Sequence, residues 1–366
     1  MTEAGAETPE RSTGRRIVGY LTVVAVVVFV FGWLLPQVVD YELIWDAITG
    51  LTGTQLLILG ALTVIRIPTE ALIYRSMLPG LRLRTGSEAY LSSNVAANVM
   101  PPPASSIVQY AYFRSDEFDS DRSMTAAVGS FVFPQGGRIV LPLVAFVVLL
   151  ATGDVDSEVM IISGIALAIA DAVGVVIRLV GRSETSARWV GRQLGRSVSW
   201  VMVKFHKEPV GDLGDAVVAF RDNAYAVVRD RWLFGTVATA ANLAISYVIL
   251  VAALRYVGVA HSELGLAAVF AAFAVSFFAG TVIPITGSGL GVVDVVMVSA
   301  LSASTNADIN TVVAGVVLWR VFYSLITIIP GSVTLSLFTK NNRDLLDQGL
   351  GAMRSGEDDS PPHVAL

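Results

Sequence analysis

The chain has no cysteine at any of its 366 positions. That excludes a disulfide framework, a thiolate nucleophile and a cysteine-ligated metal. Histidine is nearly absent as well. His206, His261 and His363 are scattered and show no metal-ligand spacing, so neither a metal nor another cofactor is expected. Lysine occurs only as Lys204, Lys207 and Lys340, the rest of the 25 basic residues being arginine, which reads as compositional bias. Charged residues make up 15% of the chain and the formal net charge is −5, too mild to specify a partner; nucleic acid is not expected as one. No catalytic constellation stands out, and an enzyme is not expected.

Apolar residues are what the chain has in excess. They fill 54% of positions at a mean hydropathy of +0.66, the composition of a polytopic helical membrane protein. The run 17–35 follows Arg11, Arg15 and Arg16, is longer than a signal-peptide core and is followed by no small-x-small cleavage site, so it is expected to remain as a membrane anchor. Further runs at 55–74, 123–151, 158–180, 232–257 and 310–338 each reach the roughly 20 residues that a bilayer crossing needs.

Two stretches break this pattern in the same way. Asn98-Val-Met-Pro-Pro-Pro-Ala-Ser-Ser-Ile107 and Thr281-Val-Ile-Pro-Ile-Thr-Gly-Ser-Gly-Leu290 each stop an apolar helix with proline, insert a small polar turn and start a second short helix. Backbone interrupted at membrane depth is tolerated only where protein or a water-filled cavity covers it, and repeated broken helices mark transporter binding sites. Helices over 86–100 and 103–114, about 22 and 18 Å long at 1.5 Å per residue, are too short to cross singly and read as a re-entrant hairpin. Residues 264–283 and 288–303 form the second pair, either re-entrant or a full span joined to a short one.

Charge placement supports this topology. With 86–114 dipping in and returning, 21 of the 25 basic residues fall in 1–16, 75–85, 114–122, 178–231 and 339–366, and none in the opposite loops, as the positive-inside rule requires of cytoplasmic segments. The expected fold is therefore an all-α polytopic membrane protein with about six full spans plus two Pro-broken hairpins arranged as an inverted repeat. It comprises a cytoplasmic tail 1–16, a membrane domain 17–338 and a cytoplasmic, partly disordered tail 339–366. The expected location is the inner membrane of a prokaryotic cell, with both termini cytoplasmic and a monomeric or weakly dimeric state. Thr125-Ala-Ala-Val-Gly129 matches Thr311-Val-Val-Ala-Gly315, each expected to open the next long span.

The segment 181–231 carries Arg188, Arg192 and Arg196 at spacing four. It reads as a basic amphipathic helix able to meet anionic headgroups or a cytoplasmic or membrane enzyme, or as topology and nothing more. Asp40 and Glu42 in the first outer loop are a weak acidic motif.

Charges at membrane depth cost roughly 2.5–3.5 kcal/mol each on insertion scales and by default mark a pathway or a paired site. Arg66 and Glu70, four apart around Pro68, are read as a coupling pair or a structural ion pair. Arg138 and Arg320 occupy equivalent spans of the two halves and offer planar forks for phosphate, with Asp171 and Asp294 as their partners if the pairing is only structural. Ser105, Thr286 and Ser288 are caps or ligands at the starts of the short helices. Asn94, Asn98 and Gln109 suit headgroup hydroxyls or tie helices together, and Tyr323 completes the candidate lining.

The run Asn94…Asn98…Pro101, the run Pro284-Ile-Thr-Gly-Ser-Gly-Leu-Gly-Val-Val-Asp294 and Arg320 in the last span resemble the flippase-like transmembrane domain of lysylphosphatidylglycerol synthases, over nearly the whole chain. The resemblance implies two inverted re-entrant hairpins around a central cavity and movement of polar-headed lipids between leaflets. Family members carry Pro-x-Thr-Pro-Gly-Gly-Leu-Gly-x-x-Glu where this chain has Gly287, Ser288 and Asp294. In the first half, Pro103, Ser105-Ser106 and Gln109 stand where the family has Arg, Gly-Glu and Arg. Pro134-Gln135 replaces a Glu-Arg pair. The synthases' aminoacyl-transferase domain has no counterpart in these residues, so a stand-alone member without lipid aminoacylation is implied. The expected cargo is a phospholipid, a polyprenyl phosphate or a lipid-linked sugar. The alternatives are a glycosyltransferase using lipid-linked sugar, or a non-transporting partner of a cell-envelope enzyme.

Overall fold

Thr52 starts the first long helix with a reciprocal cap: its hydroxyl accepts the Gln55 N–H at 3.3 Å while the Gln55 side-chain oxygen accepts the Thr52 N–H at 2.8 Å. In the computed structural model this helix, α1, runs Gly53–Met77 and stops where Gly80 takes a positive φ of 101°. The structure describes residues 45–46, 48–99, 104–130, 132–152, 178–204, 214–283, 289, 291–342 and 344–348, with isolated positions between 164 and 176. The apolar run 17–35, Asp40, Glu42, Pro101 to Pro103, Thr286 and Ser288 lie outside them, as does most of 158–180.

Among the described residues every regular element is helical. After α1 come α2 (Leu83–Val99), α3 (Ala104–Ser115), α4 (Ser120–Gly129), α5 (Val132–Thr152), α6 (Glu184–Lys204), α7 (Gly214–Tyr256), α8 (Leu266–Val282), α9 (Val292–Ala303), α10 (Ile309–Tyr323) and α11 (Ile328–Asn341). Four helical stretches among the described residues are long and apolar enough to cross a membrane: Gly53–Met77, Phe133–Thr152, Arg231–Tyr256 and Ile309–Asn341. They cover the apolar runs read at 55–74, 123–151, 232–257 and 310–338, with two corrections. The run 123–151 is not one helix, because α4 ends at Gly129 and the long helix begins only at Val132; Thr125 to Gly129 therefore closes a short helix instead of opening a span. The run 310–338 is broken at Ser324 (φ −135°, ψ −48°), where a 3₁₀ turn over Leu325–Thr327 separates α10 from α11.

The two pairs of short helices have equal lengths, 17 and 12 residues for α2 and α3 and again 17 and 12 for α8 and α9. At 1.5 Å per residue these are about 25 and 18 Å, short of a hydrocarbon layer about 30 Å thick. α2 packs on α3 and α8 on α9. The outer ends of the first pair are tied together beyond the helices. Asp116, just past α3, accepts the backbone N–H of Arg82 at 2.9 Å and the Thr85 hydroxyl at 3.2 Å, and also pairs with the Arg82 guanidinium. The chain thus leaves and returns to one end of the molecule between Arg82 and Asp116.

α1 lies along α7, α2 of the first short pair packs on α11, and α8 of the second packs on α5. Gly331 makes the α2–α11 approach possible: a Cβ there would stand 2.3 Å from the Leu91 carbonyl oxygen and 2.8 Å from Val95. Ser92 adds hydrogen bonds to Tyr112 (2.8 Å) and Thr334 (2.9 Å), and Tyr112 stacks on Phe338 at 3.9 Å. The largest apolar core joins α7, α8, α9 and α10 around Phe273, Phe277, Leu254 and Trp319. Leu57, Val64, Val144, Val147, Val237 and Ile329 face outward, as lipid-facing positions do.

Candidate functional site

Around the break at Ser324 three successive backbone carbonyls each accept a side-chain donor from α1 or α2. Thr63 donates to the Phe322 carbonyl at 2.8 Å, Arg66 donates to the Tyr323 carbonyl, and Asn94 donates to the Ser324 carbonyl at 3.2 Å. Asn94 also reaches the Thr327 hydroxyl at 2.8 Å, and Asn98 reaches the Ser324 hydroxyl at 3.3 Å. The helix break is a built structure, held by α1 and α2.

Arg66 is 1% exposed and sits between two aromatic rings, 5.4 Å from the Tyr90 centroid and 4.4 Å from that of Tyr323, while donating to the Tyr90 hydroxyl. Glu70 lies 3.6 Å away, one turn along α1, so the pair read from the sequence forms. Glu70 also lies within electrostatic range of Arg138.

Arg138, on α5, stands over Phe277 at 5.2 Å and donates to Gln135 at 3.4 Å. Asp171 is exposed and is not where the Arg138 hydrogen bond goes. Gln135 in turn accepts from Thr281 at the end of α8 (3.1 Å), which mirrors the contact of Asn94 and Asn98, near the end of α2, with the start of α11.

Arg320, 5% exposed, uses its Nε to donate to Asp294 at 2.6 Å. The other Asp294 oxygen accepts the Gly291 N–H at 2.9 Å, closing the start of α9 where Gly289 and Gly291 take φ values of 69° and 90°. The Arg320 guanidinium lies 4.9 Å from the Trp319 ring and 5.8 Å from that of Tyr323, and Trp319 stacks on Tyr323 at 4.8 Å. Tyr323 and Phe277 meet edge to face at 5.7 Å, so Arg66, Arg138 and Arg320 all abut one aromatic cluster.

Gln109 belongs elsewhere. It is buried against Tyr74 (3.2 Å) and accepts from Ser130 (2.7 Å), tying α3 to α1 and to the α4–α5 junction. Ser105 is buried in the first turn of α3. Thr63, Tyr90 and Thr327 were not among the residues read from sequence. Tyr90, Asn94 and Asn98 share one face of α2 at spacing four, and Thr63, Arg66 and Glu70 one face of α1; that spacing was the available signal. Arg255, the remaining arginine at the edge of a span, is a cap: it donates to the Val259, Ala260 and Leu264 carbonyls at 2.9, 2.9 and 2.6 Å. Among the described residues there is no cluster of metal-ligating side chains.

Among the described residues these features define a helical protein with four membrane-length helices, two pairs of short apolar or mixed helices and a buried arginine–aromatic centre. No protein-family model and no curated protein matches the chain.

Proposed function

We propose that this chain is an integral membrane transporter of the flippase type, moving a polar-headed or phosphate-bearing lipid between leaflets, with the architecture implied by its resemblance to the transmembrane domain of lysylphosphatidylglycerol synthases. The observation that supports the reading is the crossed packing of two equal short-helix pairs, α2 of the first on α11 and α8 of the second on α5. Two such halves in opposite orientation form an inverted repeat, and an inverted repeat has two near-equivalent states, one open to each side. The buried arginine–aromatic centre lies between the halves, where a headgroup crosses. In this reading both termini are cytoplasmic, and the first hairpin enters from that side.

Topology has a direct test, because a chain without cysteine carries no background thiol. Single cysteines at Arg84 and Glu117 are expected to label with a membrane-impermeant maleimide from the same side, and one at His261 from the opposite side. Labelling of 84 and 117 from opposite sides overturns the hairpin.

Transport is tested by leaflet exchange in proteoliposomes. Fluorescent phosphatidylglycerol, or a short polyprenyl-phosphate sugar, is expected to exchange at least tenfold faster than in protein-free vesicles. If neither lipid moves faster than in empty vesicles, the flippase reading fails.

A further inference from the structure

We propose that the Nη edge of Arg320 is the seat of a phosphate group, and that the lipid taken there is a phosphodiester with a single negative charge. That this lipid is then carried across rests on the transporter reading; its binding does not.

Among the described residues Arg66, Arg114 and Arg138 each leave only Nε unpaired, and their terminal nitrogens are not among the buried unpaired atoms. Arg66 spends its terminal nitrogens on Tyr90, the Tyr323 carbonyl and Glu70, and Arg255 spends its own on three carbonyls. Arg320 is different. Its Nε is held by Asp294 and its faces lie against Trp319 and Tyr323, yet Nη1 and Nη2 are both buried and have no hydrogen-bond partner. Four N–H groups pointing from a fixed guanidinium fork, unsatisfied inside the protein, match two oxygens of a phosphate. Buried donors left unpaired need a reason, and an absent anion is one that fits their chemistry.

The charge balance gives the ligand its valence. Among the described residues of this centre Arg66, Arg138 and Arg320 are matched by two carboxylates, Glu70 and Asp294, leaving one positive charge uncompensated. A phosphodiester closes that balance; a zwitterionic or cationic headgroup does not. Asp294 acts as a positioning residue. Anchored on the Gly291 N–H at the first turn of α9, it holds Nε and turns the Nη edge away from itself. A lipid is favoured over free phosphate because the fork belongs to helices whose outer faces are apolar, so an acyl chain attached to the phosphate stays in hydrocarbon.

The test is binding to the full chain in neutral detergent, read by native mass spectrometry and tryptophan fluorescence. The probes are phosphatidylglycerol (net −1), lysyl-phosphatidylglycerol (the same phosphodiester, net +1) and galactosyl diacylglycerol (no phosphate). Phosphatidylglycerol is expected to bind at least tenfold more tightly than the other two. Arg320→Gln lowers its affinity about tenfold, whereas Asp294→Asn raises it severalfold, because the amide oxygen still accepts from Nε, at the expense of the Gly291 N–H contact, while a competing negative charge is removed. A purely structural ion pair predicts the same direction for both. The double variant Arg320→Gln/Asp294→Asn removes both charges together, is expected to keep the thermal unfolding midpoint of the parent, and binds like Arg320→Gln. Equal affinity for galactosyl diacylglycerol, or the same sign of change in both single variants, overturns the assignment. Displacement of phosphatidylglycerol by an equal concentration of inorganic phosphate reassigns the fork to a free anion and overturns it too. Binding as expected without any leaflet exchange leaves the phosphate seat standing and defeats the transporter reading.

Discussion

Arg66→Met is expected to lower the stability of the protein in detergent by about 3–5 kcal/mol, the range for removing one partner of a buried ion pair. Three interactions go at once. Glu70 loses its ion-pair partner 3.6 Å away, the Tyr323 carbonyl at the helix break loses its donor, and the guanidinium between the Tyr90 and Tyr323 rings is replaced by a thioether. Arg66→Lys does not restore the parent, because one ammonium on a flexible stem cannot stack between two rings and fork to Tyr90 and Tyr323 together. The double variant Arg66→Met/Glu70→Gln recovers part of the loss by removing the stranded carboxylate, while the uncapped carbonyl remains. Denaturant titration of the three variants separates the charge contribution from the cap. If Arg66→Lys is as stable as the parent, the fork geometry is irrelevant and the account of the break is wrong.

Trp319→Ala has a comparable expected effect, about 3–5 kcal/mol, as for other fully buried aromatic truncations. Trp319 is 0% exposed, stacks on Tyr323, meets Phe277 edge to face at 6.0 Å and donates from its indole nitrogen to the Ser246 carbonyl at 3.2 Å. Truncation opens a cavity beneath both Tyr323 and the Arg320 guanidinium. It also leaves the Ser246 carbonyl without its indole donor. Trp319→Phe keeps much of the volume and loses the N–H, so its cost is expected to be no more than half that of the alanine change. The check is thermal unfolding followed by near-ultraviolet circular dichroism, which reports the packing of the ring cluster. Equal midpoints for the parent and Trp319→Ala contradict a packed centre.

The long helices were legible because apolar length is a local property: the run at 55–74 lies within Gly53–Met77 and the run at 232–257 overruns Arg231–Tyr256 by one residue. The short pairs were legible for the same reason, since proline and glycine stops are written beside the helices they end. The break at Ser324 was not, because no proline or glycine stands at it; the nearest, Pro330, comes after the turn. What holds it open is Thr63, Arg66 and Asn94, separated from their carbonyl partners by 259, 257 and 230 positions, and no local pattern records such contacts. Hence Asn94 and Asn98, read as headgroup ligands or helix ties, sit on Ser324 and Thr327. The ion pair of Arg320 with Asp294 was legible as a possibility, whereas the missing partner of Arg138 was misplaced at Asp171 because chain order says little about which helix faces which.

The seating of α2 on α11 also fixes the order in which the molecule can be finished. Ser92 on α2 finds Thr334 on α11 only 242 positions later in the chain, and Gly331 is the point where the two helices touch. During synthesis, individual helices can enter the bilayer as they emerge. At that point α2, however, carries Ser92 and Asn94 with part of their partners still unmade. Insertion and assembly are therefore separate events in time, with closure of the α2–α11 seam among the last.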